Sequence, residues 1–298
     1  MLEAASGLLL VALGAIVLWV RPRGPTQLAF GTFSIFWGSD IVLINIALLE
    51  LEYTEALLYA ATVTSTAAAA SLVWLTTRFP RPATRSDRFA FVTAGAVGVG
   101  FALIGTGSTI TYQIANPGAL PELEPVLYST GFMAFLLAHP FFMGSLLYAI
   151  LLWTLRYLTA PEPDGRTRRQ YALATAALVS WVGFIAGYGP DDKVSPRLGF
   201  RTGDPFVLAL TVPPLLVLCA VAVIWLYAQH RVGDARIGRN MAWFVLAVPV
   251  LGLLYSFMEP WGAFALTRVL ATALLAIGIL RFRMLSLDFK IRWTVSRS

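Results

Sequence analysis

Long apolar stretches alternate with short polar segments along the whole chain. A helix needs about 20 mostly apolar residues to cross the hydrocarbon core, because it rises about 1.5 Å per residue through a layer of roughly 30 Å. We predict nine such spans, at residues 4–20, 27–49, 56–77, 89–115, 126–155, 171–188, 206–228, 241–257 and 262–280. The pattern predicts an all-α, polytopic transmembrane helical bundle over residues 1–281, followed by a juxtamembrane tail over residues 282–298.

The last two predicted spans lie very close together in the sequence. Only Met258 to Trp261 separates them, and Glu259 and Pro260 are residues that favour a turn. If this pair does not cross the membrane, it forms a re-entrant hairpin.

Basic residues predict which side of the membrane each loop faces, because Lys and Arg are retained in short cytoplasmic loops. Most of the 22 basic residues follow odd-numbered spans or lie in the tail, including Arg81, Arg156 and Arg236, whereas acidic residues such as Glu50 and Asp191 follow even-numbered spans. We therefore expect a multi-pass protein of the cell membrane, with its N-terminus outside and its C-terminus in the cytoplasm.

Composition narrows the possible functions. Hydrophobic residues make up 58% of the chain and charged residues 13%, which is far from the balance of a soluble domain. The net charge of +6 is scattered over loops, so we expect no nucleic-acid partner. One cysteine and two histidines cannot build a Cys/His metal cluster. The sequence also has no G-x-S-x-G, P-loop, H-E-x-x-H or dinucleotide-binding glycine motif. We expect no cofactor and no catalytic residue.

Two charges of opposite sign fall inside predicted spans. Asp40 lies ten residues before Glu50, and Arg268 lies nine residues after Glu259, so both are expected roughly 14–15 Å below the outer face. A charge within the membrane is costly and usually has a partner or a function. We predict an Asp40–Arg268 ion pair that either locks two helices together or forms a ligand site or conformational latch open to the outside.

Other polar or aromatic residues are expected near that depth. Trp37 shares a helix face with Asp40 at i, i+3 spacing, and His139 precedes Pro140, where a kink frees backbone carbonyl groups. Asn45 and Tyr255 complete the predicted ligand site. Each of these residues has an alternative role in packing the bundle.

Small residues predict a close helix contact on the fourth span. Ala94, Gly98 and Ala102 recur every four residues, a spacing that lets a neighbouring membrane helix approach closely. This is a packing prediction and implies no chemistry.

The end of the last span resembles a known membrane region. Residues 268–288 resemble the exit of the N-terminal seven-helix region of sensor histidine kinases and related signalling proteins, and the matching positions are Gly278, Ile279, Leu280, Arg281, Phe282, Met284, Leu285 and Asp288. The chain differs from that region in having nine predicted spans. It also lacks the dimerisation helix and the ATP-binding domain of a kinase, so we expect either an excerpt of a longer protein or a module that works through separate partners.

The tail itself alternates strictly between apolar and polar residues over residues 285–296. This alternation predicts either a strand or an interfacial segment with aromatic and cationic anchors.

The resemblance implies a membrane sensor or signalling module that transmits an outer-face or intramembrane signal to a cytoplasmic tail or partner. A transporter or channel for small solutes or ions is the first alternative, because a buried polar cluster would serve it equally well. A structural subunit of a membrane assembly is the second. The expected partners are the lipid bilayer, a cytoplasmic signalling protein or missing C-terminal domain, and a second copy of the chain.

Overall fold

The computed structural model describes residues 2–20, 24–47, 54–115, 130–159, 165–188, 205–231, 235–258 and 263–282. These residues form nine α-helices and one short 3-10 turn, Arg85–Asp87. In chain order the helices are α1 (Leu2–Val20), α2 (Pro25–Ala47), α3 (Thr54–Arg78), α4 (Arg88–Ala115), α5 (Thr130–Thr159), α6 (Gly165–Tyr188), α7 (Pro205–Arg231), α8 (Ala235–Met258) and α9 (Ala263–Phe282).

The predicted all-α membrane bundle is confirmed in its main features. Eight of the nine helices, α1 to α8, are long and apolar enough to cross a membrane, whereas α9 carries a shorter apolar run, Ala265–Gly278. Arg268 lies within that run and lowers its hydropathy. Helices α8 and α9 are separate elements, and α9 has 20 residues, a length of about 30 Å. The predicted orientation in the membrane remains a prediction.

Helices α5 and α6 form the centre of the bundle. In each, 78% of the apolar span is buried by other helices, against 28–50% in the remaining spans. Helix α5 packs against α3, α4, α6 and α7, and α6 packs against α7, α8 and α9. Helices α1, α2 and α3 pack side by side in chain order, and α9 also contacts α1. The N-terminal and C-terminal helices of the bundle are therefore neighbours.

The bundle has two ends, which we name after one residue at each. The Glu3 end carries the start of α1 and the end of α2, because Gly7 packs against Gly38 in an antiparallel pair. The Arg156 end carries the end of α3, the start of α4 and the end of α5. On the topology predicted from the basic residues, the Glu3 end faces outward.

Glycines allow the closest helix contacts. Gly98 of α4 faces Gly144 of α5 so closely that a Cβ added to Gly144 would lie 2.5 Å from the carbonyl oxygen of Gly98. Ala94 and Ala102 are buried on the same face of α4, so the predicted close contact of this helix is confirmed. Gly100 points away from this contact, and a Cβ there would meet no atom within 4 Å.

Large apolar side chains cover much of the outer surface, among them Val99, Leu216 and Val250. A soluble monomer rarely exposes so much contiguous apolar surface. These residues fit a bundle whose outer helices face lipid, which agrees with a multi-pass membrane protein.

Candidate functional site

The charge of Arg268 is held at the Glu3 end of the bundle. Its Nη1 donates to Oε2 of Glu3 at 3.5 Å, which joins α9 to α1. The Arg268 side chain is 12% exposed and that of Glu3 is 29% exposed. Glu3 was not among the predicted partners, because it precedes the first predicted span, residues 4–20.

Asp40 lies close to this pair without touching it. Its side chain is almost fully buried on α2, and it interacts electrostatically with Arg268. Among the described residues, however, no Asp40–Arg268 contact shorter than 4.0 Å is present. The two charges predicted to pair are therefore in the same region, but Glu3 holds the direct contact.

Two atoms of this cluster are free to form another bond. Within the described part of the chain, neither Oδ1 of Asp40 nor Nε of Arg268 has a hydrogen-bond partner, although both are buried. The hydroxyl group next to Asp40 belongs to Thr64 of α3. That hydroxyl directs its hydrogen towards the carbonyl oxygens of Ala60 and Ala61, at 3.1 and 3.0 Å.

His139 adds a fourth helix to the cluster. It is half-buried on α5 and lies within electrostatic range of Arg268. Two of the predicted site residues, Asp40 and His139, therefore lie within electrostatic range of a third, Arg268. We call Glu3, Asp40, His139 and Arg268 the charged cluster.

The other three predicted site residues have packing roles. Trp37 is fully buried among aromatic rings, with centroids 5.4 Å from Trp181 and 6.1 Å from Phe142. Asn45 donates to the carbonyl oxygen of Ile41 on its own helix, at 2.8 Å. These contacts match the packing alternative that the sequence left open for both residues.

Tyr255 lies on α8 against α6. Its ring centroid is 5.6 Å from that of Phe184, in an edge-to-face arrangement. This contact joins α8 to the central helix α6, so Tyr255 also has a packing role.

A double-mutant cycle measures which carboxylate binds Arg268. We expect Glu3→Gln and Arg268→Gln to show a coupling energy of about 1 kcal/mol in thermal or chemical unfolding, since directly contacting residues couple by roughly 0.5–3 kcal/mol. The Asp40→Asn and Arg268→Gln cycle should give a smaller value, because that pair is not in contact. A larger value for Asp40 than for Glu3 would contradict the observed pairing.

A second polar centre lies at the other end of the bundle. The side chain of Arg156 is 0% exposed, and its guanidinium donates to the carbonyl oxygens of Thr76 at 2.8 Å, Arg81 at 2.8 Å and Pro82 at 3.3 Å. It also lies 3.5 Å from Oδ2 of Asp87. One residue of α5 therefore bonds to the end of α3 and to three residues of the connection between α3 and α4.

Asp87 fixes the same connection from its own side. Its carboxylate accepts hydrogen bonds from the backbone and hydroxyl groups of Thr84, at 2.8 and 2.9 Å, and pairs with Arg81 at 3.3 Å. Arg156 is also 5.8 Å from the ring centroid of Phe91. The buried cation is thus compensated by one carboxylate, several carbonyl dipoles and an aromatic ring.

The position of Arg156 differs from the sequence-based prediction. We expected it in a cytoplasmic loop, as one of the cations that set the topology, but it lies inside α5 with its side chain fully buried. The signal was present in the sequence, because Arg156 stands between Leu155 and Tyr157 and is followed by Leu158. A charge flanked by apolar residues on both sides favours a buried partner over a loop.

The described residues form a small apolar cavity and contain no group of metal ligands. They contain no group of three or more His, Cys, Asp or Glu side chains that could hold a metal ion. A cavity among α2, α3, α5, α6 and α9 has a volume of about 10 Å³ and an apolar lining, including Phe33, Trp153 and Leu178. A cavity of this size holds about one water molecule at most, so it is too small for a metabolite.

Comparison with protein-family models, curated proteins and solved structures finds no match. The resemblance of residues 268–288 to a signalling region stays a proposal, and residues 283–298, including the alternating tail, lie outside the described residues.

Proposed function

We propose that this chain is a sensor or signalling module of the cell membrane. In this proposal the Glu3 end faces outward and receives the signal, and α9 carries the response to the cytoplasmic tail or to a cytoplasmic partner. One observation carries the proposal: the central residue of the charged cluster, Arg268, belongs to the helix that leads into the tail. Any change in the partner of Arg268 acts directly on that helix.

The distribution of the cluster over four helices supports the proposal. Glu3, Asp40, His139 and Arg268 come from α1, α2, α5 and α9, so their interactions depend on the relative positions of these helices. A buried ionic network of this kind is a weak source of stability but suits an element with two arrangements.

Helix α5 provides a second route between the two ends. His139 and Arg156 are 17 positions apart on it, about 25 Å along the helix axis. Arg156 in turn holds the connection between α3 and α4. A shift of α5 at the charged cluster would therefore also move Arg156 and change its bonds to the connection between α3 and α4.

Cysteine labelling in liposomes tests this proposal. A Ser286→Cys probe is placed in the tail of a Cys219→Ala background, since the native cysteine is exposed. We expect Arg268→Gln and Asp40→Asn to change the labelling rate of the probe several-fold. Each variant removes a charged group from the interactions between Arg268 of α9 and the neighbouring helices. Glu55→Gln is the matched control, since Glu55 is an exposed carboxylate at the start of α3. An unchanged rate in both cluster variants would contradict the proposal.

A transporter is the second candidate, because charged residues buried in a membrane bundle also mark ion pathways. Ion and metabolite flux into the same liposomes separates the two functions. Flux that is lost in Asp40→Asn would favour transport and overturn the sensor proposal. A structural subunit would instead copurify with a partner at fixed stoichiometry.

A further inference from the structure

The charged cluster contains a donor and an acceptor that are both unused. Nε of Arg268 carries a hydrogen with no acceptor, and Oδ1 of Asp40 has no donor, although the two side chains lie within electrostatic range of each other. Buried polar groups are normally satisfied, so a complementary pair left open needs an explanation. Movement of the Arg268 side chain from α1 towards α2 would satisfy both atoms.

The surroundings of Asp40 favour a carboxyl group that carries a proton in this arrangement. The Thr64 hydroxyl donates to the carbonyl oxygens of Ala60 and Ala61 on its own helix. The guanidinium is bonded to Glu3. Oδ1 of Asp40 has no hydrogen-bond partner among the described residues, and an unpaired oxygen is more costly to bury on a carboxylate than on a protonated carboxyl group.

Among the residues that the structure describes, the charged and titratable groups near Asp40 come from three other helices. They are Glu3 from α1, His139 from α5 and Arg268 from α9, and α3 contributes the uncharged Thr64. Arg268 carries a single positive charge, so it can neutralise only one of the two carboxylates. With Glu3 ionised and bonded to it, a second negative charge at Asp40 competes for the same guanidinium.

We propose that Asp40 is a proton-binding site that decides whether Arg268 is bonded to Glu3 on α1 or to Asp40 on α2. With the proton bound, Arg268 stays with Glu3, as in this structure. Release of the proton to water leaves a carboxylate, which binds the free Nε of Arg268 and draws α9 towards α2. This inference rests on the proposed sensor function and names its stimulus, a change in proton concentration at the Glu3 end.

Infrared difference spectroscopy of the full chain in neutral-lipid nanodiscs tests the proton site. We expect a protonated-carboxyl stretching band that disappears when the pH is raised and is absent from Asp40→Asn. Glu3→Gln should retain the band but weaken it at the same pH, because Arg268 is then free to pair with the Asp40 carboxylate. Arg268→Gln should strengthen it, because the competing cation has gone.

Several results would overturn the inference. A band that persists in Asp40→Asn, no band in the wild-type chain, or equal amplitudes in wild type and Glu3→Gln would each do so. Circular dichroism and gel filtration confirm that the isosteric variants remain folded, so a lost band reports the proton.

The two proposals can fail separately. If the Asp40 band is present but the Ser286→Cys labelling rate does not depend on the cluster, the proton site stands and the sensor function fails. If labelling depends on the cluster but the band does not depend on Asp40, the sensor function stands and its stimulus is not a proton at Asp40.

Discussion

Replacing Arg156 with leucine is expected to lower the free energy of unfolding by about 3–5 kcal/mol, the usual effect of removing one partner of a buried ion pair. The variant leaves the carbonyl oxygens of Thr76, Arg81 and Pro82 without their donor, and it weakens the compensation of the buried Asp87 carboxylate. The change is measured from the unfolding midpoint in detergent, followed by intrinsic fluorescence.

Two further variants make this prediction specific. Arg166→Leu, an exposed arginine at the same end of the bundle, should change the midpoint little. Arg156→Lys should not restore wild-type stability, because an ammonium group cannot reproduce the fork of a guanidinium that reaches several carbonyl groups at once. If Arg156→Leu is as stable as Arg166→Leu, the buried contacts contribute little to the fold.

The second large effect is expected at the contact between α4 and α5. In Gly144→Ala the new Cβ would lie 2.5 Å from the carbonyl oxygen of Gly98, an atom of the backbone that cannot rotate away. The helices must separate, and overpacking of this kind typically costs about 1–3 kcal/mol. We expect a lower unfolding midpoint.

The matched control is the same substitution at Gly100 on the same pair of helices. A Cβ there meets nothing within 4 Å, and alanine favours a helix over glycine by up to about 1 kcal/mol. Gly100→Ala should therefore keep or raise the midpoint while Gly144→Ala lowers it. Equal shifts in both variants would mean that the α4–α5 contact tolerates a side chain.

The sequence by itself determined the class of fold, because bilayer thickness imposes a simple rule on the length and composition of each helix. It also identified the small-residue face of α4, since Ala94, Gly98 and Ala102 recur at the helical period. For the site, it selected Asp40 and Arg268, because each lies well inside a predicted span, whereas it placed Arg156 in a loop because that residue directly follows the fifth predicted span.

Only the tertiary structure decided which charges meet. Glu3 holds Arg268 because α9 packs against α1, a contact between residues 265 positions apart that no local pattern reveals. Arg156 is buried because the connection between α3 and α4 turns its carbonyl oxygens towards α5. The helical period determines which residues share a face, but the choice of partner for each charge depends on how the helices are arranged around α5 and α6.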